Sequence, residues 1–149
     1  MLFRSATLAV TAGTLLNPAG STITALAGTG GARTLAAQVD NQGTLDLFPS
    51  AAGTLTINGS LTSSGIINME LGGTTAGSTY DVLNVTSGPA TISGGTLNVT
   101  LINGFTPSNG QNFTILTSSA PRSGTFATAN RPANTSMQYN PNSVVVTAP

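Results

Sequence analysis

Apolar and polar residues alternate in short stretches along most of the chain, and a three-residue motif recurs within them. One set of copies is spaced by 20 residues and comprises Gly13-Thr14-Leu15, Arg33-Thr34-Leu35 and Gly53-Thr54-Leu55. A second set is spaced by 22 residues and comprises Ser21-Thr22-Ile23, Gly43-Thr44-Leu45 and Gly65-Ile66-Ile67. Periods of this length are typical of repeat architectures, so the pattern predicts a stack of repeated units.

Each repeat has room for two or three strands of four to six residues separated by tight turns, which is the composition of one solenoid coil. Because side chains alternate along a strand, we expect two inner rows, Leu15-Leu35-Leu55 and Ile23-Leu45-Ile67. Thr14, Thr34 and Thr54 then face outward and form a candidate threonine-rich binding face. No segment has the apolar spacing of an amphipathic helix, and the predicted fold is an all-β parallel solenoid.

Gly, Asn and Pro mark the predicted corners between strands, at Asn17-Pro18, Gly28–Gly31, Asn41-Gln42-Gly43 and Asn58-Gly59. Asparagines at such corners can form hydrogen-bonded ladders from one coil to the next. At the start of the chain, the alternation over Ala6–Val10 predicts a strand rather than the apolar core of a signal peptide.

The second half of the chain has longer strands and most of the aromatic residues. We expect a single domain over residues 1–149, with repeat coils over 1–79 and the last coils and a C-terminal cap over 80–149. The aromatic residues expected to close the end of the core are Phe105, Phe113, Phe126 and Tyr139.

Charged residues make up only 5% of the chain, and the net charge is zero. Four scattered arginines cannot form the basic stripe that a phosphate backbone requires, so nucleic acid is not an expected partner. No stretch reaches the roughly 18 apolar residues of a membrane span.

The chain contains no histidine, cysteine or lysine, which removes the usual general base, thiolate nucleophile and Schiff-base amine. We therefore expect no catalytic residues, no cofactor and no metal site. The alternative of a polysaccharide-active enzyme would depend on the four acids, which are Asp40, Asp46, Glu70 and Asp81. The 22-residue spacing places Asp46 over Asn68 and Asp40 over Thr62, so no two acids share a row.

The run Tyr80–Thr117, with Asn103-Gly104 as a turn and Phe113–Leu116 as a strand, followed by Gly124-Thr125-Phe126, resembles the C-terminal region of bacterial autotransporter-type passenger domains and related surface repeat proteins. This resemblance implies a right-handed parallel β-helix that is exported to the cell surface or beyond. We expect a module rather than a complete protein of that family.

Two functions follow as hypotheses from these features. The first is a non-catalytic extracellular or cell-surface module that is structural or adhesive and contacts glycans or other surface ligands. The second is a self-assembling filament subunit, in which strand Ser143-Val144-Val145-Val146-Thr147 serves as the self-association edge.

Overall fold

The fold is all-β, as the sequence predicts. The computed structural model describes residues 1–4, 6–28 and 32–149, which contain sixteen strands and no helix. The turn predicted at Gly28–Gly31 lies largely outside the described residues. Dense Gly, Thr and Asn disfavour helix, whereas Thr, Val and Ile suit the pleated surface of a sheet.

The connections between strands have at most six residues, except for two of ten residues, which follow β8 and β11. Their bounds are β1 (Leu2–Arg4), β2 (Ala6–Asn17), β3 (Thr22–Leu26), β4 (Arg33–Asn41), β5 (Thr44–Leu47), β6 (Thr54–Ile57), β7 (Leu61–Ser63), β8 (Ile66–Leu71), β9 (Val82–Val85), β10 (Ala90–Ser93), β11 (Thr96–Leu101), β12 (Asn112–Ser118), β13 (Ser123–Thr125), β14 (Thr128–Asn130), β15 (Ser136–Asn140) and β16 (Ser143–Thr147).

Two sheets contain all of these strands. The six-stranded sheet has the order β1-β3-β5-β8-β11-β14, and every pair in it is parallel. The ten-stranded sheet divides at β4, because residues 33–35 pair with β6 while residues 39–41 pair with β7. One branch continues through β9 to β12, and the other continues through β10 to β13.

The parallel pairs thus form three rows of strand segments, one in the six-stranded sheet and two in the ten-stranded sheet, where β2 and β4 each contribute to both rows. The 22-residue row is confirmed, since Ile23 pairs with Leu45 and Leu45 pairs with Ile67. Leu97 and Ala129 continue the same row at wider spacing.

The predicted 20-residue row is wrong. Leu15 pairs with Val39, and Leu35 pairs with Leu8 and Ile57. Leu55 in turn pairs with Leu83. The motif copies at Leu15 and Leu35 belong to different rows, because the number of residues between equivalent positions is set by the corner turns and not by the motif.

Inner side chains of the three rows merge into one core. Leu45, Ile67 and Leu97 are fully buried in the six-stranded sheet, as are Leu35 and Leu83 in the ten-stranded sheet. Burying each such side chain stabilises the fold by about 1.5–3 kcal/mol relative to leaving it in water.

Polar side chains close one corner of the stack, in a chain we term the corner ladder (Asn17, Asn41 and Ser63). Asn17 Nδ2 donates to Asn41 Oδ1 at 2.7 Å, and Asn41 Nδ2 donates to Ser63 Oγ at 3.0 Å. The same two amide nitrogens also donate to the backbone carbonyl oxygens of Thr44 and Ile66. All three ladder residues are at most 2% exposed, and the predicted corner ladder is confirmed.

Glycines stack beside the corner ladder because the backbones there approach too closely for a side chain. A Cβ on Gly65 would lie 2.1 Å from the Gly43 carbonyl oxygen, and one on Gly95 would lie 2.2 Å from the Gly65 oxygen. The Gly43 oxygen accepts the hydrogen bond from the Ile66 N–H, so it cannot easily move away. Close packing of successive units thus explains the glycine that begins the 22-residue motif.

The C-terminal end carries an antiparallel hairpin, β15–β16, on one row only. Strand β16 pairs antiparallel with β12 on one side and with β15 on the other, so β15 runs in the direction of β12 again. Phe113 packs edge-to-face against Tyr80 and Phe105, and the Tyr139 hydroxyl accepts a hydrogen bond from the Phe126 N–H. The predicted aromatic residues do gather at this end of the core.

Candidate functional site

The candidate site is a groove on the outer face of the six-stranded sheet. Its volume is about 510 Å³, within the range of small-molecule sites. Outward-facing side chains near the ends of β5, β8, β11 and β14 line it, and the polar ones are Asp46, Asn68, Glu70, Asn98, Thr100, Asn130 and Arg131.

A row of carboxamides ending on a carboxylate, which we term the groove ladder (Asp46, Asn68, Asn98 and Asn130), runs along this groove. Asn130 Nδ2 donates to Asn98 Oδ1 at 2.8 Å, Asn98 Nδ2 donates to Asn68 Oδ1 at 2.9 Å, and Asn68 Nδ2 donates to Asp46 Oδ1 at 3.1 Å. An ionised carboxylate only accepts hydrogen bonds, so Asp46 fixes the orientation of the whole row. The strand register places these residues directly opposite one another.

Glu70 adds a second carboxylate to the groove. Its Oε1 accepts a hydrogen bond from the Ser50 N–H at 2.9 Å, whereas its Oε2 is buried and has no hydrogen-bond partner among the described residues. Burial raises the pKa of this carboxyl group above its ordinary value, and the charge of Asp46 adds to the rise, against the lowering effect of the hydrogen bond from the Ser50 N–H. An unpaired buried acceptor costs roughly 1–3 kcal/mol.

Asp81 lies behind the groove and is fully buried. Its Oδ1 accepts from the Gly53 N–H and its Oδ2 accepts from the Glu70 N–H, both at 2.9 Å, so one carboxyl group ties β8 to the loop before β6. Burial, helped by the negative charges of Glu70 and Asp46, raises the pKa of Asp81 to about 8 despite these two hydrogen bonds. Asp81 is a structural clamp rather than a wall of the groove.

The opposite end of the groove carries a positive charge. Arg131 follows β14, and its guanidinium donates to the backbone carbonyl oxygen of Thr135, a buried residue. The groove therefore has two carboxylates near β5 and β8 and one guanidinium beyond β14.

The threonines chosen from the sequence do not share a row. Thr14 pairs with Gln38, Thr34 pairs with Thr7 and Thr56, and Thr54 pairs with Val82. The expected stacking of Thr14, Thr34 and Thr54 is wrong for the same reason as the 20-residue row. Their role as a binding face stays a prediction.

A different outward row, formed mainly by threonines, lies beside the groove ladder. Its members pair from strand to strand and are Thr22, Thr44, Ile66, Thr96 and Thr128. The first three follow the 22-residue motif, whereas the sequence analysis did not identify Thr96 and Thr128 as members. A signal was present, because Thr44, Thr96 and Thr128 each stand two residues before a member of the groove ladder.

Strand β16 holds the predicted self-association edge, Ser143–Thr147, and it is an inner strand of the sheet. It pairs with β12 on one side and β15 on the other. Val144 and Val146 are fully buried. Self-association through this strand would require the hairpin to open first.

The four acids occupy three separate environments. Asp46 pairs with Asn68 and Asp40 pairs with Thr62, as the spacing predicts. Asp46 and Glu70 lie on different rows, yet both line the groove, which the row-by-row reasoning did not indicate. Within the described ranges, no group of three or more acidic residues is arranged to hold a metal ion.

No helix in the described part of the chain is long and apolar enough to cross a membrane. No protein-family model matches the sequence, and no curated protein matches it either.

Proposed function

We propose that the chain is a segment of a right-handed parallel β-solenoid that serves as a non-catalytic structural or adhesive element outside the cell or on a bacterial cell surface. The observation that carries this proposal is the set of three rows of parallel strand segments, which pair with one another along the chain and present a polar outer face with few charges. Hydrogen bonds between units satisfy the backbone, so the segment is stiff along its axis.

The placement of the acids supports a binding role over a catalytic one. Asp40 lies on the other sheet and Asp81 is buried as a clamp, which leaves Asp46 and Glu70 as the carboxylates of the groove. Asp46 is engaged by Asn68 and Glu70 by the Ser50 N–H. The resemblance of Tyr80–Thr117 to surface repeat proteins supports the extracellular location.

Adhesion of beads that carry the purified chain tests the proposal. Beads coated with the folded chain should attach to bacterial or host-cell surfaces under flow, and soluble chain should compete with them. A matched control is L45D, which places a carboxylate at a fully buried core position and should unfold the chain. Equal attachment by wild-type and L45D beads, or none by either, would contradict the adhesive role.

The filament hypothesis is tested separately by negative-stain electron microscopy over a concentration series. The hairpin β15–β16 extends one row of strands two positions beyond β12, whereas β13 and β14 end their rows among the described residues. A second copy stacked on this end would leave gaps on two of the three rows, so the geometry favours discrete particles. Long uniform fibres that grow with concentration would favour the filament instead.

A further inference from the structure

The groove ladder leaves half of its hydrogen-bonding capacity unused. Each carboxamide nitrogen of Asn68, Asn98 and Asn130 carries two N–H groups, and only one of them donates within the described residues. The groove therefore presents a row of spare donors at intervals of about 4.8 Å, the spacing between strands.

A spare acceptor lies at one end of the same row. Asp46 Oδ2 accepts no hydrogen bond from a described residue, whereas Glu70 Oε2 is buried and closed to a ligand in the groove. A ligand that donates an O–H or N–H group here would pair with the free Asp46 oxygen. Free hydroxyl groups beside ring and linkage oxygens supply both the donors and the acceptors that the groove lacks.

The structure thus points to a ligand class, and we propose that the groove binds a linear polysaccharide of neutral or amino sugars, laid along the groove ladder across β5, β8 and β11. This inference rests on the proposed adhesive function and names the ligand of that site. In a chain of pyranose rings linked through opposite ends of each ring, each sugar adds a length of nearly one strand spacing. Successive sugars therefore lie beside successive carboxamides of the groove ladder. An extended peptide repeats every two residues, or about 6.6 Å, and drifts out of step with the ladder.

The other side chains of the groove argue against an apolar ligand and against a polyanionic one. Leu47, Met69 and Val99 also border it, but they are at most 6% exposed and point into the core. An apolar ligand would therefore find little surface to cover. The two carboxylates of Asp46 and Glu70 outnumber the one guanidinium of Arg131, so the groove disfavours a polyanion and attracts the ammonium group of an amino sugar.

No aromatic ring borders the groove among the described residues, so sugars cannot stack there as they do on tyrosine or tryptophan. Hydrogen bonds exposed to water contribute little individually. Binding of a disaccharide should accordingly be weak, and it should strengthen as the oligomer spans more rungs.

A titration followed by ¹H-¹⁵N NMR tests the proposal, because the side-chain amides of the groove ladder are observed directly. The probes are hexamers and dimers of glucose and of glucosamine, each in β-1,4 and α-1,4 linkage, with hexagalacturonate as the polyanionic control. We expect the side-chain signals of Asn68, Asn98 and Asn130 to shift with at least one neutral or amino hexamer, more than with its dimer and more than with hexagalacturonate.

Asn84 provides a matched control on the other sheet, where its Oδ1 accepts from Thr117 Oγ1 at 2.8 Å and where it does not line the groove of the candidate site. The double variant N68A/N98A should weaken hexamer binding at least tenfold, whereas N84A should leave it unchanged. If the double variant does not fold, the wild-type amide shifts decide the question alone.

The proposal is overturned if no neutral or amino hexamer shifts the groove amides, if hexagalacturonate binds best, or if Asn84 shifts as much as Asn98. Those results would not bear on the adhesive function, which the bead assay tests separately. Beads that attach while every glycan fails would therefore separate a wrong ligand from a wrong function.

Discussion

The corner ladder and the groove ladder use the same side chain in opposite ways. In the corner ladder both side-chain N–H groups of Asn41 donate hydrogen bonds, one to Ser63 Oγ and one to the Ile66 carbonyl oxygen, and the residue is fully buried. In the groove ladder one side-chain N–H group of Asn98 donates a hydrogen bond to Asn68, and the residue remains partly exposed. The comparison teaches that a polar ladder stabilises the fold when it is saturated and buried, and is available to a ligand when it is half used.

Between the two ladders, the largest effect on stability is expected for N41A in the corner ladder. The substitution leaves Asn17 Nδ2, Ser63 Oγ and the Ile66 carbonyl oxygen without their partner in a site closed to water. We expect the free energy of unfolding in urea to fall by about 3 kcal/mol. A loss no greater than that of N84A would show that the corner ladder does not stabilise the fold.

A second test uses pH, since Asp81 is a buried polar group that can change its charge. Its pKa is raised to about 8, so between pH 4 and pH 8 the folded state holds a proton that the unfolded state has released. Stability should therefore be greatest below pH 4 and fall by about 1.4 kcal/mol for each pH unit as the pH rises towards 8.

The variant D81N should remove most of this slope in urea unfolding curves measured from pH 4 to pH 8. A smaller slope of the same sign should remain, because burial also raises the pKa of Glu70. D40N is the control, as Asp40 lies on the other sheet and its carboxylate is exposed enough to accept a hydrogen bond from the surface residue Gln42 through Nε2. A slope in D81N equal to that of D40N would rule out Asp81 as its source.

The smallest effect is expected for N98A in the groove ladder. This change removes two hydrogen bonds that water can replace, so the free energy of unfolding should change by no more than about 0.5 kcal/mol. The measurement is the same urea titration as for N41A. A loss as large as that of N41A would mean that the groove ladder stabilises the fold and is not reserved for binding.

Much of the fold was predictable because it depends on local regularity. The 22-residue spacing of Ile23, Leu45 and Ile67 identified a true inner row, and Asn41 identified a true corner. Beyond Leu71 the step between equivalent residues grows to 30, from Ile67 to Leu97, and then to 32, from Leu97 to Ala129. No fixed spacing survives such changes in loop length.

The groove could not be predicted for the same reason. It needs Asp46, Glu70 and Arg131 on one face, and only the register of the widened units brings Arg131 there. The clamp by Asp81 likewise joins Gly53 and Glu70 across stretches that carry no repeated motif. Long-range contacts between single polar groups leave no periodic trace in a sequence.

The three hydrogen bonds of the groove ladder all run in the same direction, with each donor on the side of Asn130 and each acceptor on the side of Asp46. Their dipoles add along the groove, between a guanidinium at the start and carboxylates at the finish. A sugar chain also has two unlike ends, so it would not fit equally well in both senses. The groove would therefore bind a sugar chain in one direction only. Every copy of the protein bound to the same sugar chain would then face in the same direction.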